Sequence, residues 1–296
     1  MRVFVTGATG FIGSALVQEL ISAGHQVLGL ARSDAGAKSL AAAGAQVQRG
    51  DLQDLESLRS GAANADAVIH TAFIHDFSKF KENCEIDQKA IETLGSVLVG
   101  SDRPLIVTSG LALLANGRPA AENDPPPPVS DTYPRASEHV AASLEKQDVR
   151  AMVVRLPQVH DTTKQGLVTY AIAVARQKGA SAYIGEGQNR WAAVHRLDAA
   201  RLYRLALEKG HSGARYHAVA EEGVPARDIA EAIGQGLKVP IISLAPEQSA
   251  SHFGWLATFA GLDLTGSSAQ TRKQLGWSPT GPGLLTDLGN MRYAQD

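Results

Sequence analysis

Residues 1–13 read MRVFVTGATGFIG, and this stretch decides the fold. Residues 3–5 are apolar and predict a short buried strand. Residues 6–9 predict a tight turn, and residues 10–20 predict a helix. The apolar side chains expected on one side of that helix are Phe11, Ile12, Leu16, Val17 and Leu20. A strand that passes through a tight turn directly into a helix is typical of an α/β fold.

The glycines of the turn, Gly7, Gly10 and Gly13, have a GxxGxxG spacing. The first lets the chain turn sharply, the second lets the backbone approach a phosphate, and the third lets the helix pack closely on the strand. The free N–H groups at the helix N-terminus would then point at an anion. We therefore predict a bound dinucleotide here, with Thr9, Phe11 and Ile12 completing the cofactor-binding turn.

The string TGATGFIG resembles the turns of the short-chain dehydrogenase/reductase superfamily, especially its extended and atypical branches related to NAD-dependent epimerase/dehydratases. The resemblance runs nearly the whole chain. It implies a doubly wound α/β domain with a parallel sheet (Rossmann) at residues 1–160. Residues 161–296 would be mainly a smaller C-terminal substrate-binding subdomain, with 191–219 returning to the main sheet. Helices at 81–99 and 132–147 resemble those of a four-helix dimer interface in related proteins and favour a homodimer.

Composition limits the other classes of function. The chain has 296 residues, a net charge of −2 and a pI near 6.5, which give no reason to expect a nucleic-acid partner. Its single cysteine, Cys84, excludes a disulfide framework or a cysteine-rich metal site, and no metal is expected. No apolar run approaches the ~20 residues of a membrane span, and the first strand leaves no room for a signal peptide. We expect a cytoplasmic protein that acts on a small molecule.

The end of the second predicted strand bears on the choice of cofactor. This strand covers residues 26–31 and is followed by Arg32 and Ser33, about twenty residues beyond Gly13. An acidic residue at this point would accept hydrogen bonds from a free ribose 2′-hydroxyl, whereas a guanidinium suits a 2′-phosphate. The sequence therefore favours NADP over NAD. Alternatively, Arg32 is a solvated arginine at a strand end.

The resemblance implies further cofactor contacts. Asp51 would meet the adenine amine and Leu52 would cover the ring; alternatively, Asp51 caps a helix at 53–60. After a strand at 66–70, the turn formed by Thr71, Ala72 and Phe73 would pass under the pyrophosphate and the nicotinamide ribose. After a strand at 150–156, the backbone of Pro157 and Val159 would lie against the nicotinamide carboxamide.

The predicted helix at 131–147, DTYPRASEHVAASLEKQ, carries the closest match to a catalytic motif. Extended members have Tyr-x-x-x-Lys on one helical face, where the lysine grips the ribose and lowers the tyrosine pKa. Here Tyr133 matches the tyrosine, but Ser137 stands where the lysine would be. We expect Tyr133 to keep a near-normal pKa of ~10, to donate protons and to be a poor base.

Four other segments carry candidate side chains for the reaction. Ser109 ends a strand at 105–109 and would orient the substrate oxygen, although the register could put Gly110 in that place. By the resemblance, Asp87, on the helix at 81–99, stands where the superfamily often has an asparagine that helps to hold a proton-relay water; alternatively, it is a surface carboxylate. His160 falls at the carboxyl ends of the strands and could contact the substrate or exchange protons, or be structural. His75 and Asp76 could face the substrate, whereas His70 reads as structural.

The rest of the chain predicts connecting elements. Residues 111–131 read as a loop that the prolines at 125–128 stiffen into a lid edge. His195 and Asp198 are expected to fix a turn and a helix start. The aromatic-rich segment 247–261 reads as one helix that packs in the core or walls the substrate pocket. The other predicted elements are strands at 45–48 and 215–218 and helices at 35–43, 166–178, 201–209, 225–236 and 267–276.

Together these features predict an NADP(H)-dependent oxidoreductase of the carbonyl reductase or alcohol dehydrogenase type, with a small organic substrate. Tyr133, assisted by Ser109, would supply the proton for reduction. A sugar-nucleotide epimerase or dehydratase is the second interpretation. A non-catalytic NADP-binding redox sensor is the third, because the catalytic lysine is absent.

Overall fold

A computed structural model describes residues 1–114 and 117–293. The strands are β1 (Arg2–Thr6), β2 (Gln26–Ala31), β3 (Gln46–Arg49), β4 (Ala67–His70), β5 (Ser101–Gly110), β6 (Val149–Leu156), β7 (Gln158–His160), β8 (Ser181–Ile184), β9 (Arg190–His195), β10 (Arg215–His217), β11 (Glu221–Pro225) and β12 (Ile241–Leu244). The α-helices are α1 (Phe11–Ser22), α2 (Asp34–Ala42), α3 (Leu55–Ala63), α4 (Phe80–Ser96), α5 (Ser137–Glu145), α6 (Val168–Lys178), α7 (Arg196–Lys209), α8 (Ala226–Leu237), α9 (Ser249–Phe253), α10 (Ala257–Ala260), α11 (Ala269–Leu275) and α12 (Leu284–Asn290). Short 3₁₀ helices cover Phe77–Lys79, Pro246–Gln248 and Gly254–Leu256.

The main sheet has seven strands in the order β10-β6-β5-β4-β1-β2-β3, and every pairing in it is parallel. The chain moves outward from β1 to β3 and then returns to β4 on the other side of β1. The strand order therefore reverses between β1 and β4, which is where ligands bind in open α/β sheets. The predicted doubly wound parallel sheet is confirmed.

Apolar side chains of the main sheet alternate between two cores, one on each face. Val3 and Val5 pack with helices α1 and α7, whereas Phe4 and Val68 pack with α3, α4 and α5. Strands that are covered on both faces read as nearly continuous apolar runs, as residues 3–5 do. The α4–α5 face also carries the buried polar residues His70, Asp87 and Ser137.

The strands of the C-terminal part form two smaller sheets. Strand β9 pairs with β7 and β11, and β8 pairs with β12. Within the range 191–219, β10 is the strand that enters the main sheet, so the expected return at residue 191 is wrong for β9. The sequence analysis has no counterpart of β7, β8, β11, β12 or α12.

Three predicted helices differ from the structure. The helix expected at 131–147 begins only at Ser137, because Pro134 disfavours the helical conformation at Tyr133 and has no N–H to donate. The helix expected at 247–261 is broken into short pieces, because Gly254 has φ +58° and ψ −131°. Helix α7 starts at Arg196, five residues before the predicted boundary at 201. The remaining predicted elements lie within a few residues of the observed ones.

The described part of the predicted loop, 111–114 and 117–131, is tied to the body of the molecule; residues 115 and 116 lie outside the description. The Arg155 guanidinium on β6 donates to the carbonyl oxygens of Glu122 and Asp124 at 3.5 and 2.8 Å. His139 on α5 holds the proline run through its Nε2, 2.9 Å from the carbonyl oxygen of Pro127. Among the described helices, none is both long and apolar enough to cross a bilayer.

Candidate functional site

The glycine turn between β1 and α1 is shaped as the sequence predicts. Gly7 has φ +69°, and its carbonyl oxygen accepts a hydrogen bond of 2.8 Å from the Gly10 amide. A Cβ built at Gly13 would lie 1.9 Å from the Gly7 oxygen, so only glycine fits there. Because the first-turn amides of α1 have no carbonyl one turn earlier, they remain available to an anion.

The turn after β4 lies directly against the glycine turn. A Cβ built at Gly7 would be 2.7 Å from the amide nitrogen of Ala72 and 2.8 Å from Oγ1 of Thr71. The Thr71 hydroxyl donates to the Thr6 carbonyl oxygen at 2.8 Å, which fixes the two turns together. Thr71 and Ala72 therefore lie next to Gly7, and the cofactor contacts expected of Thr71, Ala72 and Phe73 stay a prediction.

The end of β2 presents one cation and one helix cap. Arg32 is exposed, and its guanidinium has no salt bridge to any residue that the structure describes. The Ser33 hydroxyl caps α2 by accepting from the Gly36 amide at 3.1 Å. A Cβ at Gly36 would be 3.2 Å from Cγ2 of Thr9, so this strand end adjoins the glycine turn. The exposed guanidinium of Arg32 at this strand end suits a phosphate group.

Asp51 does not cap α3. Its carboxylate accepts from the amides of Gln53 and Asp54 at 2.7 and 3.1 Å, which closes a turn before the helix. The N-cap is Asp54, which accepts from the Ser57 amide. The predicted cap is therefore wrong, and Leu52 lies buried beside this turn.

A chain of hydrogen bonds crosses the α4–α5 face of the sheet. Thr6 Oγ1 lies 2.8 Å from Nδ1 of His70, and Nε2 of His70 lies 3.1 Å from Oδ1 of Asp87. The Ser137 hydroxyl donates to Oδ2 of Asp87 at 2.6 Å, and Nε of Arg135 donates to the Ser137 oxygen at 3.0 Å. Every contact is satisfied if His70 carries its proton on Nε2.

Asp87 is the centre of this chain and is only 2% exposed, so the alternative of a surface carboxylate is wrong. Burial acts to raise its pKa, but the hydrogen bonds from His70 and Ser137 and the charge of Arg135 outweigh burial. The pKa of Asp87 is lowered as a result, and the carboxylate stays ionised. His70 is buried and bonded on both ring nitrogens, as expected for a structural histidine.

Tyr133 is half-buried and precedes α5, so the predicted helical Tyr-x-x-x-Ser spacing does not apply. Burial raises its pKa above 10, and the positive charge of Arg135 lowers it by less. The expectation that Tyr133 keeps a near-normal pKa is therefore wrong, because its pKa is raised. Although Ser137 stands in place of the lysine, a cation is near, because the charge of Arg135 acts on Tyr133.

The two hydroxyls at the end of β5 face opposite sides of the sheet. Thr108 Oγ1 donates to the His70 carbonyl and lies 2.6 Å from the Tyr203 hydroxyl, on the α7 side. Ser109 is paired in register with Arg155, on the α4–α5 side. No hydrogen bond of its hydroxyl occurs within the described chain. A Cβ at Gly110 would meet nothing within 4 Å, so the strand opens into free space there.

His160 lies on β7, in the second sheet, and is fully buried. Its Nδ1 is 2.7 Å from Oδ2 of Asp287 on α12, and its Nε2 is 3.9 Å from Oε2 of Glu221. Burial lowers its pKa, although Asp287 and Glu221 act in the opposite direction. These contacts tie the C-terminal helix to β7, and the described hydrogen bonds do not link His160 to Ser109, Tyr133 or Asp87. Val159 is buried in the core on the α1–α7 side, and Pro157 is partly exposed beside it.

His75 belongs to an aromatic wall that also contains Phe73, Phe77, Phe80, Tyr170 and Trp255. The Phe77 and Trp255 rings stack at 4.6 Å and so join the main domain to the 3₁₀ helix Gly254–Leu256. Burial and the charges of Lys164 and Arg135 lower the pKa of His75. Asp76 caps the 3₁₀ helix Phe77–Lys79 through the Ser78 amide.

Sequence reasoning missed the cations around the turns. Arg135 lies with its Cζ 4.7 Å from the centre of the Phe73 ring. Lys164 Nζ and Arg196 Cζ lie 6.0 and 5.3 Å from the centre of the Phe11 ring, at the start of α1. The only sequence signal for Arg135 was its position between Tyr133 and Ser137, and Lys164 and Arg196 had none.

A model of the NAD dependent epimerase/dehydratase family matches residues 3–220 of this chain. The chain belongs to this family. This member of the NAD dependent epimerase/dehydratase family is 49% identical to an uncharacterized protein of Schizosaccharomyces pombe. The match covers 99% of this chain and 100% of the relative.

Two further comparisons concern proteins with named activities. The sterol-4-alpha-carboxylate 3-dehydrogenase (decarboxylating) of Dictyostelium discoideum is 28% identical over 76% of this chain and 73% of its own. The UDP-glucose 4-epimerase of Thermus thermophilus, solved with NAD, superposes with a TM-score of 0.76 at 20% identity and covers 99% of both chains. The structural match shows the fold, which this chain shares with other members of the epimerase/dehydratase family.

The residues present fit the dinucleotide that the family name implies. The three glycines leave a cradle that a Cβ at Gly7 or Gly13 would fill, and the first turn of α1 offers unpaired amides. These groups would hold a pyrophosphate, and the turn formed by Thr71, Ala72 and Phe73 would support it from beneath. Bound there, a nicotinamide dinucleotide supplies or accepts a hydride.

Proposed function

We propose that this chain is an NADP(H)-dependent oxidoreductase that works mainly as a carbonyl reductase on a small organic substrate. The observation that carries the proposal is the phenol of Tyr133, whose pKa is raised by burial and on which the positive charge of Arg135 acts. A phenol with a raised pKa is neutral at pH 7 and can donate a proton, but it is a poor base. The name of the sterol dehydrogenase relative supports hydride chemistry.

The proposed reduction needs a hydride from the cofactor and a proton from the protein. A dinucleotide held by the glycine turn would be the source of the hydride for the carbonyl carbon. Tyr133 donates its proton to the carbonyl oxygen while Ser109 holds that oxygen by a hydrogen bond, and the phenolate regains a proton from solvent. Arg135, fixed by Ser137, stabilises the phenolate in the interval.

A panel of ketones and aldehydes with NADPH tests the proposal. We expect NADPH oxidation that the Tyr133→Phe variant loses by about 10²–10⁴-fold, the usual contribution of a general acid, with little change in NADPH affinity. Retention of most activity by Tyr133→Phe would assign the proton to another group. No turnover of any carbonyl would favour the non-catalytic redox sensor instead.

The preference for NADPH is proposed from Arg32. Its exposed guanidinium at the end of β2 is suited to a 2′-phosphate, and a charge-assisted contact contributes ~1.5–3 kcal/mol, about tenfold or more in affinity. Calorimetric titration should give tighter binding of NADPH than of NADH, and Arg32→Ala should remove the difference. Arg59→Ala, an exposed arginine on α3, is the control and should leave the ratio unchanged. Equal affinities in the parent protein would contradict the assignment.

An epimerase of sugar nucleotides is the competing activity, because the family name includes epimerases. Epimerisation requires a base to oxidise the sugar alcohol first, and a tyrosine of raised pKa serves poorly in that role. Release of the C4 epimer from UDP-glucose by the protein with bound NAD would support this alternative over the proposed one.

A further inference from the structure

The guanidinium of Arg135 is held in one orientation by three contacts. Nε donates to the Ser137 oxygen at 3.0 Å, and Nη2 donates to the Thr108 carbonyl oxygen at 3.2 Å. The plane of the group lies over the Phe73 ring at 4.7 Å. Because the Ser137 proton is committed to Asp87 at 2.6 Å, the serine can only accept from Arg135. The position of the arginine is therefore fixed in advance of any ligand.

Among the described residues, no carboxylate bonds directly to this fixed cation. Within residues 1–114 and 117–293, Arg135 makes no salt bridge, and its Nη1 makes no hydrogen bond. The nearest bonded carboxylate, Asp87, is separated from it by the Ser137 hydroxyl and already accepts from Ser137 and His70. A partly buried guanidinium with unused N–H groups and no acid partner matches the planar fork of a carboxylate.

The location of Arg135 ties such an anion to the reacting centre. Its Nη2 is bonded to the carbonyl of Thr108, the residue before Ser109, and its charge acts on Tyr133. An acid group bound by Arg135 would therefore lie close to the oxygen that Ser109 and Tyr133 are proposed to hold. A substrate that reaches both Arg135 and this oxygen would carry its acid group near the reacting carbon.

We propose that Arg135 binds the carboxylate of the substrate, which is a short oxo acid whose carboxylate is one or two carbons from the reacting carbonyl. The inference rests on the proposed reductase function and names its substrate class. The same cation could instead neutralise a phosphate of the cofactor. However, Lys164 and Arg196 already lie over Phe11 at the first turn of α1, where the pyrophosphate is expected.

The test compares acids with their neutral esters. NADPH oxidation is measured with pyruvate and acetoacetate and with the methyl ester of each. We expect the parent protein to prefer the acids by about tenfold or more in kcat/KM, and Arg135→Gln to reduce that preference to about one, mostly through KM of the acids. The control is Lys146→Gln, which changes an exposed lysine at the far end of α5 and should keep the preference for acids over esters.

Two outcomes would overturn the inference. If neutral ketones are reduced as well as the acids by the parent protein, the reductase function holds and the carboxylate site is wrong. If Arg135→Gln weakens NADPH binding by calorimetry but leaves the acid preference intact, the cation serves the cofactor.

A binding measurement needs no turnover and keeps the two proposals separable. Malonate, a non-reducible dicarboxylate, is titrated into the protein with saturating NADPH while thermal unfolding is followed. Malonate should raise the midpoint of the parent protein and of Lys146→Gln, but not that of Arg135→Gln. A higher unfolding midpoint in all three proteins, or in none of them, would contradict the carboxylate site. This result does not depend on knowing a reducible substrate.

Discussion

At the scale of single residues, Gly13 shows how closely the cofactor turn is packed. A Cβ at this position would lie 1.9 Å from the Gly7 carbonyl oxygen. We expect Gly13→Ala to destabilise the protein by about 1–3 kcal/mol, as overpacking does, and to weaken NADPH binding at least tenfold by shifting the turn. Urea unfolding and calorimetry measure the two effects.

Gly289→Ala is the matched control for this substitution. Gly289 lies in α12, and a Cβ there would meet nothing within 4 Å. The alanine should raise the free energy of unfolding by about 0.5–1 kcal/mol through helix propensity and leave NADPH affinity unchanged. If Gly13→Ala binds NADPH as tightly as Gly289→Ala does, the glycine turn is not the phosphate cradle.

The residue scale also separates what could be predicted from what could not. The glycines were predictable because their spacing is local and has one steric explanation. The role of Asp87 was foreseen only as a position, since its partners His70 and Ser137 come from elements 17 and 50 residues away. Arg135 looked unremarkable in the sequence, because its function depends on Phe73 and the Thr108 carbonyl meeting it in space.

At the scale of secondary-structure elements, backbone conformation overrides helical pattern twice. Residues 131–136 are polar enough and spaced well enough for a helix, but Pro134 delays α5 until Ser137. The aromatic segment 247–261 has an apolar pattern typical of a helix, but Gly254 takes a conformation open only to glycine. Most other elements were predictable because their apolar periodicity and their glycine and proline boundaries agree.

Gly254 therefore gives a prediction at this scale. Its φ of +58° with ψ of −131° excludes L-residues, whereas Gly276 has φ +66° and ψ +25°, a left-handed conformation that they tolerate better. Neither glycine has an atom within 4 Å of a built Cβ, so steric contact does not separate them. Gly254→Ala should cost about 1–3 kcal/mol of unfolding free energy and Gly276→Ala less. Equal losses in urea unfolding would contradict this account of the broken helix.

At the scale of the whole molecule, His217 links several elements and makes stability depend on pH. It lies on β10 and is fully buried, with Nε2 3.2 Å from Nη1 of Arg155 and Nδ1 2.8 Å from the Ser267 carbonyl oxygen. Burial, and then the charge of Arg155, lower its pKa to about 4 from 6.5. The folded protein therefore resists protonation at His217.

The sign of the effect follows from this shift. Between pH 6.5 and 4 the unfolded chain binds a proton at His217 that the folded protein does not, so stability is present above pH 6.5 and falls as pH decreases toward 4. The full shift corresponds to at most ~3 kcal/mol. Thermal unfolding at pH 7 and pH 5 should show a smaller loss on acidification for His217→Gln than for the parent protein. Equal losses for the parent protein and His217→Gln would mean that other histidines cause the pH dependence. His139→Gln, which changes an exposed histidine on α5, is the control and should lose as much stability as the parent protein.

The homodimer stays a prediction at this scale. The division into 1–160 and 161–296 is also less sharp than the sequence indicates. Helix α7 and strand β10, from the second range, complete the cores and the sheet of the first. Such returns of the chain depend on contacts across many residues, which a local pattern does not contain.

The contact between His160 and Asp287 joins residues 127 positions apart, and this has a consequence for the order in which the protein is made. A ribosome releases β7 long before it has synthesised α12. During that interval His160 has neither its acid partner nor the helix that buries it. The second sheet, whose last strand β11 ends at Pro225, therefore stays without its covering helix until nearly the last described residues have emerged. Truncations that remove α12 should expose β7 and leave a nascent chain that depends on chaperones.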